Sequence, residues 1–309
     1  MNTHNSKSFS RRQLISKASA LGLVVASSVN TLAQTTSNKP KKVSGKGSPN
    51  LAIVFGSGSA KGFAHIGVIK AFEEAGIEPN LIVGTSAGAL VGGFWASGLT
   101  AAAMEDYASK VKEADIVDLG SNTKRGIVSG DTFQNYLNTL TKKRTIEQLN
   151  TRFTAVATTF KTGEPYLFSD GDLAFAIRAS CSIPGVFNPA KINGIEYVDG
   201  GLVSPVPVKI AKDLGANFVI AVDVNRAPLN AQPVGIFEQI MHSFDVMGRS
   251  LAKLEAAQAD ILIQPNMSGI AGTDFNSRNQ AIQLGYVAAK RLMPVIIDKL
   301  VSRGFKVST

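Results

Sequence analysis

The stretch that most restricts the folds open to this chain is Gly84-Thr85-Ser86-Ala87-Gly88. The apolar, largely β-branched run Leu81-Ile82-Val83 leads into it, and the small-residue run Ala89 to Phe94 leads out. Strand, sharp turn, helix is the setting in which a G-x-S-x-G pentapeptide lifts a serine hydroxyl onto the tip of a strained elbow. Glycine at 84 and 88 removes the Cβ atoms that would collide on such a turn. In this reading Ser86 is a candidate nucleophile; the plainer reading is a tight βα turn of structural meaning only.

The neighbouring pattern repeats the unit. Leu51-Ala52-Ile53-Val54-Phe55 is a short apolar run suited to a buried parallel strand, and it ends in the glycine-rich turn Gly56-Ser57-Gly58-Ser59-Ala60-Lys61-Gly62. A helical pattern follows and stops near Gly76. Strand–helix–strand–helix, with both crossovers leaving from glycine-bearing turns, predicts an α/β layered domain around a mainly parallel sheet. Residues 99–150 are more polar and mainly helical, with no strand expected, and could cap the substrate side or simply cover a sheet face. Strand character returns at Phe153–Thr158, with Glu164–Phe168 as its hairpin or neighbour. A helix over Asp172–Ser180 should end at Cys181-Ser182-Ile183-Pro184-Gly185, because proline pushes the residue before it into extended geometry. Ile195–Val198, Phe218–Asp223 and Ile261–Ile263 read as further strands. Helices are expected over 236–257, with Ile236, Ile240, Met247 and Leu251 on one side, and from Ser277 to about Pro294. No internal repeat is present, and one domain over 51–309 accounts for the whole pattern.

Charge is informative through its distribution. The chain of 309 residues has a formal net charge of +9, but residues 1–50 hold eight Lys and Arg and no acid, leaving +1 for the remainder. The basicity therefore belongs to the leader and the linker after it, and gives no sign of a nucleic-acid face. Ser10-Arg11-Arg12-Gln13-Leu14-Ile15, the apolar run Ala18–Ala26 and small residues to Ala33 describe an export signal over 1–33. Its paired arginines resemble the twin-arginine signal, with an ordinary secretory signal as the alternative; either predicts a protein outside the cytoplasm, periplasmic in the first case. Residues 34–50, rich in Ser, Thr, Lys, Gly and Pro, read as a flexible tether. Cys181 is the single cysteine, so no intrachain disulfide or cysteine metal cage can form, and no metal is expected.

A serine hydroxyl needs a base to become nucleophilic. The histidines are His4, His65 and His242. His4 belongs to the leader, and His65 sits at the start of the first helix, where packing suits it better than catalysis. His242, following Asp199 and Asp223, would satisfy the Ser–Asp–His order of α/β-hydrolases. The other candidate base is Asp199, at the end of an extended segment and before Gly200-Gly201, where an aspartate is otherwise a turn former. The Gly56–Gly62 loop can offer N–H groups to an anion at a helix start. A dinucleotide fits poorly as that anion: Lys61 stands where the fingerprint needs glycine, and no acid ends the strand Leu81–Val83. An oxyanion hole suits a glycine loop ahead of a serine elbow better.

Taken together, Gly56–Gly62, Gly84–Gly88 and Asp199-Gly200-Gly201 resemble the signature of the patatin-like phospholipases, in that family's order. Ala179-Ser180-Cys181-Ser182-Ile183-Pro184-Gly185-Val186-Phe187 is similar to the family's Ser–Pro block, and the span 51–226 resembles its bacterial members and the catalytic domain of neuropathy target esterase. The first motif departs from the pattern in its spacing, with seven residues from Gly56 to Gly62. The resemblance implies a three-layer α/β/α fold and a Ser–Asp dyad without histidine. Ser86 would be nucleophile and Asp199 base, with N–H groups from Gly58 to Lys61 holding the oxyanion. It also implies acyl-ester substrates, most often phospholipids or lysophospholipids, transient contact with a membrane surface and no cofactor. An acyltransferase, or a non-catalytic lipid-binding protein on the same scaffold, are the alternatives. Lys61 and Arg178 could meet a phosphate head group, with surface ion pairing the simpler role for Arg178.

Overall fold

Three five-residue strands, β1 (Leu51–Phe55), β2 (Leu81–Thr85) and β9 (Phe218–Val222), are buried at every position. A strand apolar on both faces has to lie inside a layered sheet, with helices above and below. The structure, a computed structural model, describes residues 50–111, 118, 125–225 and 235–307. The expected export signal and all of the tether except Asn50 lie outside these residues. Asn50 itself is docked: its N–H donates to Asn217 Oδ1 at 2.9 Å and its side-chain amide to Gly215 O at 2.8 Å.

The eight-stranded sheet has the order β10 (Ile261–Ile263), β9, β1, β2, β4 (Arg152–Thr159), β8 (Ile195–Asp199) and β7 (Ala190–Ile192), with β5 (Pro165–Phe168) also paired to β4. From β10 to β4 every pairing is parallel, while β5, β8 and β7 run antiparallel to their partners. Helices α1 (Ala64–Glu74), α2 (Ala87–Ala96), α3 (Ala101–Lys110), α4 (Asp131–Thr141), α5 (Leu173–Ser180), α6 (Val208–Asp213), α7 (Ile236–Ala256) and α8 (Arg278–Ser302) complete the layers. One apolar cluster joins Ile53, Phe55, Ile69, Phe72, Phe153 and Ile177; a second joins Ala52, Val54, Val83, Val219 and Ala252. Alternate residues of β1 thus feed opposite cores, as a period of two requires. This is the layered α/β architecture expected from the strand–helix alternation, in the three-layer α/β/α form that the resemblance implied.

The junction at β4 positions the site. Residues 152–156 of β4 pair with β2, and residues 157–159 pair with β8. Because β5 pairs with residues 155–158 along the whole junction, it must occupy the other edge. β2 and β8 therefore share one edge and meet there with their C-terminal ends together. Thr85 lies opposite Val156, and Asp199 lies opposite Ala157, the next residue.

Two local expectations are corrected. A strand does occur within 99–150: β3 (Gly126–Val128) pairs in parallel with β6 (Gly185–Phe187) as a separate two-stranded sheet. Three residues beside a glycine carry too little alternation to be read locally. The last helix runs through Pro294 to Ser302, and burial of Ala289, Met293, Ile296 and Leu300 spans the proline; packing outweighs the one hydrogen bond that proline cannot make. On α7, Ile236, Ile240, Met247 and Leu254 form an exposed stripe, with Leu251 half-buried on the same side. No helix among the described residues is long and apolar enough to cross a membrane.

Candidate active site

Ser86 occupies the turn between β2 and α2 with φ 55° and ψ −123°, a left-handed backbone that a residue bearing a Cβ rarely adopts. Close packing holds it there. A Cβ on Gly88 would lie 2.1 Å from Phe55 O, and one on Gly84 would lie 2.4 Å from Gly88 O. The Ser86 N–H donates to Ser180 Oγ at 2.9 Å, and Ser180 Oγ donates to Val156 O at 2.5 Å. Thr85 Oγ1 donates to Ser204 O at 2.8 Å. Ala87 and Gly88 open α2, whose first turn faces the serine.

Asp199 enters from the opposite direction on β8. Its N–H donates to Ser182 O at 2.9 Å, and its carbonyl accepts from Thr158 Oγ1 at 2.8 Å. Gly200 passes so close to β4 that a Cβ would sit 2.1 Å from Val156 O. Gly201 donates its N–H to Asp199 Oδ1 at 2.7 Å, which leaves Oδ2 to accept from the Ser86 hydroxyl at 2.6 Å. Both side chains are buried. Burial raises the Asp199 carboxyl to about 6, against the lowering effect of its bonds from Ser86 and Gly201. A hydroxyl this close to a carboxylate that is ionised yet basic near neutral pH can pass its proton within one hydrogen bond.

The glycine loop lies beside this pair, and most of its amides are occupied. Gly56 N–H donates to Val222 O, Ser57 to Pro205 O, Ala60 to Gly272 O and Lys61 to Gly58 O, at 2.8–3.0 Å. Gly58 and Ser59 have amides without a partner among the described residues. The expectation of donors from Gly58 to Lys61 narrows accordingly to Gly58 and Ser59. Ser59 shares the strained left-handed backbone, at φ 49°. Gly62 packs on the elbow, where a Cβ would lie 2.3 Å from that of Ala87. Lys61 is buried, and its ammonium is pushed down by burial, with Asp245 and Asp223 opposing.

Neither remaining histidine joins the pair. His65 is fully buried in α1, edge-on to Phe55 at 5.1 Å, with its Nε2 2.8 Å from Gly56 O, and burial holds it down at about 4. His242 lies on α7 beside Asp245 and has no bond to Ser86 or Asp199. Arg178, expected in a surface ion pair, is buried instead, donating to Gly130 O at 2.9 Å and Ser129 O at 2.7 Å; Asp131 is 3.6 Å away. Its guanidinium is itself satisfied there by two backbone carbonyls, of which Gly130 O also accepts from the Gln134 N–H at 3.1 Å. Cys181 adds its thiol within hydrogen-bonding reach of Ser86, held protonated by burial and by the Asp199 charge. Thr158 gives no local sign of touching the site, and Ser180 and Ser182 give one only through their place in the Ser–Pro block, since each meets the site through chain remote in sequence. Among the described residues no three His, Cys, Asp or Glu side chains gather as metal ligands.

The raised carboxyl has a consequence for stability. A carboxyl with a folded value of about 6 and an ordinary value of 3.8 lets the native state hold more protons between those limits. Its contribution is therefore complete below pH 4 and lost as pH rises through 6, about 3 kcal/mol in all. Asp199→Asn should unfold at higher urea than the wild type at pH 7, the difference shrinking towards pH 4. A difference independent of pH would contradict it. His65 has the opposite slope, losing stability as pH falls from 6.5 through 4, and is common to both proteins.

Comparison with known proteins matches the family model described as patatin-like phospholipase to residues 53–212, just over half of the chain. An uncharacterized NTE family protein of Mycobacterium tuberculosis is 37% identical over 186 residues, covering 60% of this chain and 51% of that protein. Patatin-like phospholipase domain-containing protein 6 of Homo sapiens is 31% identical over 182 residues, covering 56% of this chain and 13% of its own length. The chain thus spans about half, or far less, of the curated relatives it matches. VipD from Legionella pneumophila superimposes with a TM-score of 0.58 at 15% identity, over 80% of this chain and 67% of that one, a likeness of fold.

Proposed function

The chain belongs to the patatin-like phospholipase family, and on that premise we propose that it is a serine acyl-ester hydrolase acting on phospholipids or lysophospholipids through Ser86 and Asp199. The observation that carries this reading is the 2.6 Å bond from the Ser86 hydroxyl to Asp199 Oδ2 inside the strained elbow. Ser86 Oγ attacks the ester carbonyl as its proton passes to Asp199. The carbonyl oxygen becomes an oxyanion facing the Gly58 and Ser59 N–H groups, assisted by the N-terminal end of α2. Collapse of the tetrahedral species expels the alcohol, which takes the proton from Asp199 and leaves an acyl-serine. Water then attacks, Asp199 accepting its proton and returning it to Ser86 as the fatty acid departs. The step requires no metal ion or cofactor.

A defined phosphatidylcholine in vesicles tests the reaction: fatty acid and lysolipid in equal amounts are expected. Transfer of the acyl group to an added alcohol in preference to water would favour an acyltransferase on the same dyad. Absence of any acyl-serine would favour a lipid-binding protein.

The protein works, in this proposal, at a membrane surface outside the cytoplasm, exported through the signal in residues 1–33. The apolar stripe of α7 supports the surface contact, because that helix packs over the Gly200–Leu202 turn next to Asp199. Changing Ile240 and Met247 to serine should reduce flotation with vesicles while leaving turnover of a short soluble ester within about twofold. Equal flotation of the two proteins would remove α7 from the contact.

A further inference from the structure

The two amides left open in the glycine loop are useful only if their peptide planes are held still. The carbonyl of Gly56 is bonded to His65 Nε2 at 2.8 Å, and the carbonyl of Ser57 accepts from Asn225 Nδ2 at 2.9 Å. Asn225 lies just past β9. Its N–H donates to Asp223 Oδ1 at 2.9 Å, and Asp223 Oδ2 accepts from Gln264 Nε2 at 3.1 Å. Asp223 is buried. A carboxylate anchored in this way fixes the backbone of Asn225 and, with it, the direction of its amide.

The Ser57–Gly58 peptide is planar and trans, so its C=O and N–H point in opposite directions. Tying Ser57 O to Asn225 therefore sets the direction of the Gly58 N–H. The other neighbours of the loop lie on the elbow side: Gly62 against Ala87, and Ser57 against Gly201, where a Cβ would be 3.4 Å from the serine side chain. Ser57 N–H is already bonded to Pro205 O, so the loop cannot swivel to compensate. We propose that Asn225 is a positioning residue for catalysis, aiming the Gly58 N–H at the developing oxyanion by holding the far side of the same peptide. This rests on the acyl-serine reading above and adds to it a residue outside the three glycine-bearing motifs.

Asn225→Ala removes the donor. Asn225→Asp keeps the shape and the backbone bond to Asp223, but a carboxylate cannot donate to Ser57 O. An oxyanion donor lost outright costs about 10²–10³ in kcat. A donor misaimed should cost less, about tenfold to a hundredfold, with KM for a soluble p-nitrophenyl ester changed by about twofold or less. A trifluoromethyl ketone, which presents an oxyanion when Ser86 adds to it, should lose affinity in proportion to kcat. A merely structural asparagine would shift the melting temperature and KM without separating ketone affinity from substrate affinity. If Asn225→Ala fails to fold, Asn225→Asp carries the comparison. A folded variant with kcat and ketone affinity within about twofold of the wild type overturns the proposal. A wild type inert to a fluorophosphonate would instead overturn the acyl-serine reading, and this role with it.

Discussion

Ser86→Ala is expected to abolish covalent labelling by a fluorophosphonate and to lower kcat by about 10⁵-fold or more, with the fold intact. The reason lies in the elbow. Ser86 carries the hydroxyl that is bonded to a buried carboxylate from a strained backbone, and Ser180 and Thr85 spend their hydroxyls on Val156 O and Ser204 O. Nucleophile removal in a serine hydrolase costs about this much, the residual rate coming from the oxyanion donors and binding. The strain at Ser86 adds a second readout. Alanine keeps the Cβ, and hence the strain, so the melting temperature should stay close to that of the wild type. Labelling that persists at another serine would contradict the assignment.

Asp199→Asn is the second large effect, expected at about 10³–10⁴ in kcat, in the upper range for loss of a general base. Asparagine preserves the bond from the Gly201 N–H and fills the same volume, so the loss isolates proton acceptance. Burial matters to the size of the effect. At the ordinary carboxylate value Asp199 would be a poor base near neutrality, and lifted to about 6 it stays ionised at pH 7 while gaining basicity. The same substitution should stabilise the fold at pH 7, an opposition between activity and stability expected where a buried charge is kept for chemistry.

Much of this is legible in the sequence, for physical reasons that differ by residue. The strands were readable because β1, β2 and β9 are apolar at every position, and a run with no polar face has one place to go. Ser86 was readable because Gly84 and Gly88 announce a turn that needs their missing Cβ atoms, now seen against Phe55 O and Gly88 O. Asp199 was only half readable: before two glycines it looks like a turn former, and family resemblance was what selected it. Its meeting with Ser86 is a property of topology, β4 handing one edge from β2 to β8 between Val156 and Ala157. Which amides of the glycine loop stay open was unreadable in detail because Val222, Pro205 and Gly272, all distant in sequence, take up those of Gly56, Ser57 and Ala60. Arg178 misled because an arginine late in a helix usually reaches solvent, whereas here two carbonyls of the turn before α4 draw it inward. For β3 and the passage through Pro294, local preference was weak and tertiary packing decided.

In this mechanism Asp199, with no histidine, supplies the base. The most direct test is the pH dependence of kcat/KM for a soluble ester, measured for the wild type and for His242→Ala. Both should show one ascending limb with a midpoint near 6, the value burial gives Asp199, and equal plateaus within about twofold. Collapse of the plateau in His242→Ala, with the limb lost, would contradict the account and establish a Ser–His mechanism in its place.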